Sequence, residues 1–159
     1  MRVEDLLIEL QDKDFFKKFK LENPSAFFSA GFFILDLKEK SEKIQLDFFL
    51  PEENKIAVFE YPFKETKIPD EKIDSMQHQA TNVKIDINDL EKTCKNIIEK
   101  ENSSIRPTRI ISILKDNQWN LTCMDDMLGI VRIKLDAITG NQISFDKGSL
   151  MDFMGIKKK

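Results

Sequence analysis

Apolar residues recur along this chain with two periods, and the places where one gives way to the other predict its elements. Val3, Leu6, Leu7 and Leu10 fall at helical spacing, and Phe15, Phe16 and Phe19 continue an apolar face beyond the polar Gln11, Asp12, Lys13 and Asp14. That pattern predicts a helix broken near Asp12. Asn23 and Pro24 stop it, because the residue before a proline is pushed out of the α region. Beyond them the period shortens. Residues 26–37 are rich in Phe and Ile, residues 44–50 alternate, and residues 55–63 follow the turn-like Pro51, Glu52, Glu53 and Asn54. Three antiparallel strands are expected here.

Residues 64–84 turn polar and carry Pro69 and His78, the only histidine. Val83, Ile85 and Ile87 alternate as a short strand would. The next segment has a strong helical stripe in Ile87, Leu90, Cys94, Ile97 and Ile98, with Asn88 as the expected N-cap and Glu91 as its capping-box partner. Strand-like runs follow at 108–114, 118–123, 129–136 and 142–146. Val131, Ile133 and Leu135 alternate with Arg132, Lys134 and Asp136, the mark of a sheet with one buried and one wet face. Leu90, Cys94, Ile97, Val131, Ile133 and Leu135 are the expected core of this half. The halves share an order of helix, proline (Pro24 and Pro107), apolar strand and hairpin. An internal duplication gives this order, and so do two unrelated helix-plus-meander segments. The expected organisation is a first α+β unit at 1–63, a polar connection at 64–86, a second α+β unit at 87–147 and a tail at 148–159.

Composition supports a folded chain: of 159 residues 41% are hydrophobic and 33% charged, with only five Gly and five Pro. Thirteen Phe against one Trp and one Tyr favours packing over ligand hydrogen bonding, since phenyl rings have no polar handle. A net charge of −3 argues against broad attraction to nucleic acid or anionic lipid. Met1-Arg2-Val3-Glu4-Asp5 lacks the basic end and unbroken apolar run of a secretory signal. The longest apolar runs fall short of the roughly 20 residues a membrane span needs. With only Cys94 and Cys123 present, reduced thiols in the cytoplasm are the expectation.

Catalytic chemistry finds little support. One histidine excludes most nucleophile-base and metal-ligand sets, and His78 reads as a solvent-facing loop residue. Cys94 and Cys123 read as small buried hydrophobes. The acid pairs Glu52-Glu53 and Asp125-Asp126 read as solvated turns, and the five scattered glycines form no phosphate loop. Trp119 reads as core. No catalytic, cofactor or metal residues are therefore expected.

Two stretches resemble known families. Trp119-Asn120-Leu121-Thr122, Gly129, and the run from Val131 through Asp136-Ala137-Ile138-Thr139-Gly140-Asn141-Gln142-Ile143 resemble the hairpin of PepSY-type domains, with their tryptophan-led strand and D-A-x-T-G-x-I turn. Over residues 88–147 the resemblance implies a helix packed on an antiparallel sheet, in a module associated with binding or peptidase regulation and without catalytic residues. Doubled, it implies an α+β fold of two helix-plus-antiparallel-β-meander units, PepSY- or cystatin-like, packed as one compact protein. The tail resembles the peptide by which replication and repair proteins bind the sliding clamp PCNA. Leu150 falls at its aliphatic place, Phe153 and Met154 at its aromatic places, with Lys157, Lys158 and Lys159 trailing, although Lys147 stands where glutamine is preferred. A short terminal helix covering the sheet end accounts for the same pattern. The expected function is a non-catalytic intracellular protein-binding module, tethered to a sliding clamp through this tail. A small enzyme or a peptidase-regulating domain using the sheet face is the alternative.

Overall fold

The structure, a computed structural model, describes residues 1–149. Leu150, Phe153, Met154, Lys157, Lys158 and Lys159 lie outside the described residues. Helices α1 (Val3–Gln11) and α2 (Asp14–Glu22) precede strands β1 (Phe27–Asp36), β2 (Ser41–Leu50) and β3 (Lys55–Glu60). After the connection, a 3-10 turn at Ile87–Asp89 leads into α3 (Leu90–Lys100), followed by β4 (Arg109–Lys115), β5 (Gln118–Met124), β6 (Gly129–Asp136) and β7 (Gln142–Ser149). This is an α+β fold.

Each break has a local cause. Lys13 leaves the helical region at φ −75° and ψ 136°, which separates α1 from α2 where the polar run predicted it. Asn23 ends α2 by donating its side-chain amide to the Phe19 carbonyl at 3.0 Å. The β4–β5 turn places both Asp116 and Asn117 at positive φ, which matches the twist of a two-residue hairpin. In the β6–β7 turn the Asp136 carboxylate accepts from the amides of Ile138 and Thr139, and Gly140 takes φ +82°. The D-A-x-T-G turn thus works as its chemistry predicts.

All seven strands form one antiparallel sheet in the order β3-β2-β1-β4-β5-β6-β7. The two meanders meet where β1 pairs with β4, from Ala30 opposite Lys115 to Asp36 opposite Arg109. Here Phe33 folds its ring over Gly31, where a Cβ would lie 2.7 Å from the ring, and packs beside the fully buried Trp119 at 5.6 Å. The indole N–H donates to the Ile85 carbonyl at 2.7 Å, so Trp119 is core with its polar end satisfied.

The helices supply one continuous core with one face of the sheet. Phe16 and Phe19 meet Phe48 and Phe59 edge-on, while Leu90, Cys94, Ile97 and Ile98 of α3 join Leu121, Cys123, Val131, Ile133 and Leu135. All six residues expected in the core of the second half are buried.

Two local expectations are corrected. Val83, Ile85 and Ile87 form no strand. Lys84 instead donates one backbone bond to the Ala137 carbonyl and Ile85 accepts from Trp119. Nor is Asn88 the cap of the following helix. Asp86 caps the 3-10 turn that leads into it, accepting from the Ile87 amide at 2.8 Å and, from the same oxygen, from the Val3 amide at 2.8 Å. One carboxylate therefore holds the first amides of two helical segments that start 84 residues apart in sequence.

Two substitutions test this packing. Val131→Asp places an unpaired charge in a fully buried site and should destabilise by about 3–5 kcal/mol in a denaturant titration. Ser112→Ala should be neutral or stabilising, because the buried Ser112 hydroxyl has no hydrogen-bond partner among the described residues to lose.

Candidate binding face of the sheet

Side chains that alternate with the core point to the sheet's other face, and none of the described helices packs there. Along β1 these are Phe27, Ala30, Phe32 and Ile34, and along β4 they are Ile111 and Ile113. The register sets Phe32 opposite Ile113 and Ile34 opposite Ile111. The four form an apolar stripe down the seam between the meanders, each half-buried, none belonging to the main core. Val58 and Ile56 extend the apolar surface on β3, while Gln45 and Lys43 border the stripe on β2. On the other side Asn120 and Thr122 of β5 and then Lys134 and Arg132 of β6 make the border polar.

Two shallow depressions flank the stripe. One, of about 320 Å³, is lined in part by Phe32, Ile34, Lys43, Gln45, Glu60 and Tyr61. The other, of about 280 Å³, is lined in part by Asn120, Thr122, Arg132, Lys134, Ser144 and Asp146. At one end of the face Phe49 stacks on Phe27 at 5.7 Å, and the exposed His78 ring stacks on Phe27 at 3.7 Å.

Asp47 is the unusual group of this face. It lies between Ala30 and Val58 on the neighbouring strands and is only 8% exposed. Burial pushes its carboxyl up to about 6, against the lowering effect of the Gln45 amide, which donates to it at 2.8 Å. Nothing in the alternating pattern of residues 44–50 distinguishes it from a solvated strand residue.

The remaining candidates from the sequence are dispersed. His78 and Cys123 do not meet: His78 lies on Phe27 at the start of β1, while Cys123 pairs with Ile110, itself opposite Leu35 near the other end of β1. At strand rise that is about 25 Å along the sheet. Asp125 accepts from the amides of Met127 and Gly129, and Asp126 pairs with Lys38, which holds its carboxyl below the usual range. Glu52 and Glu53 sit in the exposed β2–β3 turn. Cys94 and Cys123, separate in sequence, are brought together. Both are fully buried, and the neighbouring Cys123 thiol together with burial pushes the Cys94 thiol upward. Among the described residues no cluster of His, Cys, Asp or Glu could hold a metal ion, and no helix is long and apolar enough to cross a membrane.

The fold is similar to that of a solved protein from Clostridium difficile 630, described as "a putative lipoprotein". The likeness covers 88% of this chain and 99% of that one, at a TM-score of 0.50 and 14% identity. At that identity it is a likeness of fold alone. No protein-family model matches the chain, and no curated protein matches it.

The buried carboxyl gives a pH-dependent prediction. An acid whose folded pKa is raised from 3.8 to about 6 carries no penalty below pH 4 and its full penalty above pH 6, so its contribution to stability falls as pH rises through that window. The difference is on the order of 2–3 kcal/mol. Asp47→Asn should therefore raise the melting temperature at pH 7.5, and the gap between variant and wild type should shrink as pH falls from 6 to 4. A gap that stays constant with pH means that Asp47 ionises as freely in the folded protein as in the unfolded chain.

Proposed function

We propose that this chain is a non-catalytic, intracellular protein-binding module that uses the face of its sheet on which no described helix packs. One observation carries the reading: the stripe of Phe32, Ile34, Ile111 and Ile113 is apolar, contiguous, uncovered by any described helix and bordered by polar side chains. An apolar centre inside a polar rim is the anatomy of a protein interface. The resemblance of residues 88–147 to PepSY-type binding modules supports the same class of function, and the dispersal of His78, Cys123 and the acid pairs is consistent with it.

The tail adds a tether in this reading. Leu150, Phe153 and Met154 supply an apolar plug for a sliding clamp, and Lys157, Lys158 and Lys159 supply the charge that speeds encounter. A single turn buries few side chains, so an affinity of around a micromolar is expected.

Three measurements test the proposal. A photo-crosslinking residue at Ile113 should capture a protein partner that the same residue at the exposed Lys92 of α3 does not, with an unchanged melt. Equal capture at both sites defeats the face as the binding surface. Titration against a sliding clamp should show binding by the intact chain that is lost in Phe153→Ala and in a chain ending at Ser149; equal binding by all three, or none by the intact chain, removes the tether. Esterase, phosphatase and peptidase assays should give no turnover. Activity that disappears in His78→Ala or Cys123→Ala makes the protein an enzyme.

A further inference from the structure

A cavity opens where α2 ends and the chain turns through Pro24 into β1. The connection passes close by, with the Gln79 amide donating to the Phe28 carbonyl at 2.9 Å. The space lined by α1, α2, the start of β1 and residues of the connection is about 570 Å³, within the roughly 300–1,000 Å³ of small-molecule sites. Leu7, Phe16, Phe28 and Phe48 give it an apolar wall that belongs to the main core.

Its charge is one-sided. Lys17, Lys20 and His78 also line the cavity and no carboxylate does, in a chain whose 28 acidic residues outnumber its 25 Lys and Arg. Lys20 is the informative group. It is half-buried, and its ammonium donates to the backbone carbonyls of Pro24, at 3.2 Å, and of Ala26. Two of its three donors are thus used, both on neutral acceptors. Among the described residues neither Lys17 nor Lys20 forms an ion pair with a carboxylate. A cation held at the wall of an apolar cavity, with no counter-ion from the chain, favours an anion there.

We propose that this cavity binds a small amphipathic carboxylate, with its acyl chain against Leu7, Phe16, Phe28 and Phe48 and its carboxylate on Lys20 and Lys17. The wall chemistry selects this class. Two ammonium groups act as point charges, and no guanidinium is present to supply the two-pronged grip that suits a phosphate. Phenyl rings have no hydrogen-bonding group with which to read a sugar or a peptide backbone. The ligand body is therefore recognised by burial, so affinity rises with chain length, and the head by charge, so the acid binds better than the matching alcohol.

The test titrates the intact protein by calorimetry with decanoate, butyrate and decanol, each below its aggregation concentration, and maps the site with a decanoate that carries a diazirine at its far end. Saturable one-to-one binding of decanoate is expected, with decanol and butyrate each weaker by about tenfold or more. Photolabel should fall on peptides holding Leu7, Phe16, Phe28 or Phe48. Lys20→Gln and Lys17→Gln should each weaken decanoate and leave decanol unchanged, and Thr81→Trp, which puts a large ring into the cavity, should weaken both. Lys20 also holds backbone carbonyls, so if its variant melts early the exposed Lys17 decides. No binding by the intact protein overturns the proposal. So does decanol binding as tightly as decanoate, full affinity in both lysine variants, or photolabel on Phe32, Ile111 or Ile113. Crosslinking of a protein partner at Ile113 does not depend on this cavity, so its failure leaves decanoate binding in place, and loss of decanoate binding leaves the crosslink in place.

Discussion

The pairing of β1 with β4 is the constraint on which the rest of the structure depends. Ladders within each meander are local, joined by short turns, whereas this one joins strands separated by a helix and a long connection. Its register decides what each face becomes. With Gly31 opposite Leu114 and Phe33 opposite Ser112, the small residues leave room for the Phe33 ring and for Trp119 beneath the helices. A slip of one residue along β4 would turn Ile111 and Ile113 into the core and Ile110 and Leu114 out of it. Core and open stripe are thus two consequences of one register.

The helices reinforce that choice without covering both sides. Segments of nine, nine and eleven residues are about 14–17 Å long, whereas seven strands span about 29 Å across the sheet. Three such helices fill one face only. Asp86 ties the two helical groups together by holding the first amides of α1 and of the 3-10 turn before α3. The connection is anchored through the Gln79 and Asn117 side chains, with the Asn117 amide donating to Gln79 at 2.8 Å. An irregular segment of this length stays ordered because its backbone groups find partners at the sheet end.

What could be read in the sequence follows from how local its cause is. The alternation of Val131, Ile133 and Leu135, the helical stripe from Leu90 to Ile98 and the Asp136–Gly140 turn are set within a few residues, and each appears as expected. Phenylalanine was harder to place. The composition suggests core, and Phe16, Phe19, Phe33, Phe48 and Phe59 are core, yet Phe27, Phe32 and Phe49 belong to the other face. The run over 26–37 hid this, since a strand apolar on both sides shows no alternation; a second such run, Ile110-Ile111-Ser112-Ile113-Leu114, was the available signal that β1 and β4 lie side by side. Asp86 as a shared cap, the burial of Asp47 and the meeting of Cys94 with Cys123 depend on residues brought together only by the folded chain.

The two faces obey different rules. On the helix side apolar groups are covered, the tryptophan N–H has its acceptor and, among the described residues, the buried Ser112 hydroxyl is the one that lacks one. On the other side four large, half-buried apolar side chains line the seam with no described helix over them, and Asp47 keeps a carboxyl whose burial costs stability at neutral pH. Apolar-to-polar replacement along the stripe is a simple route to a more soluble sheet, and Asp47→Asn to a more stable one. A surface that departs from the stability optimum in two independent ways, on the same side and around the same strands, is where function and stability pull apart. That concentration of departures on one face supports placing the binding surface there.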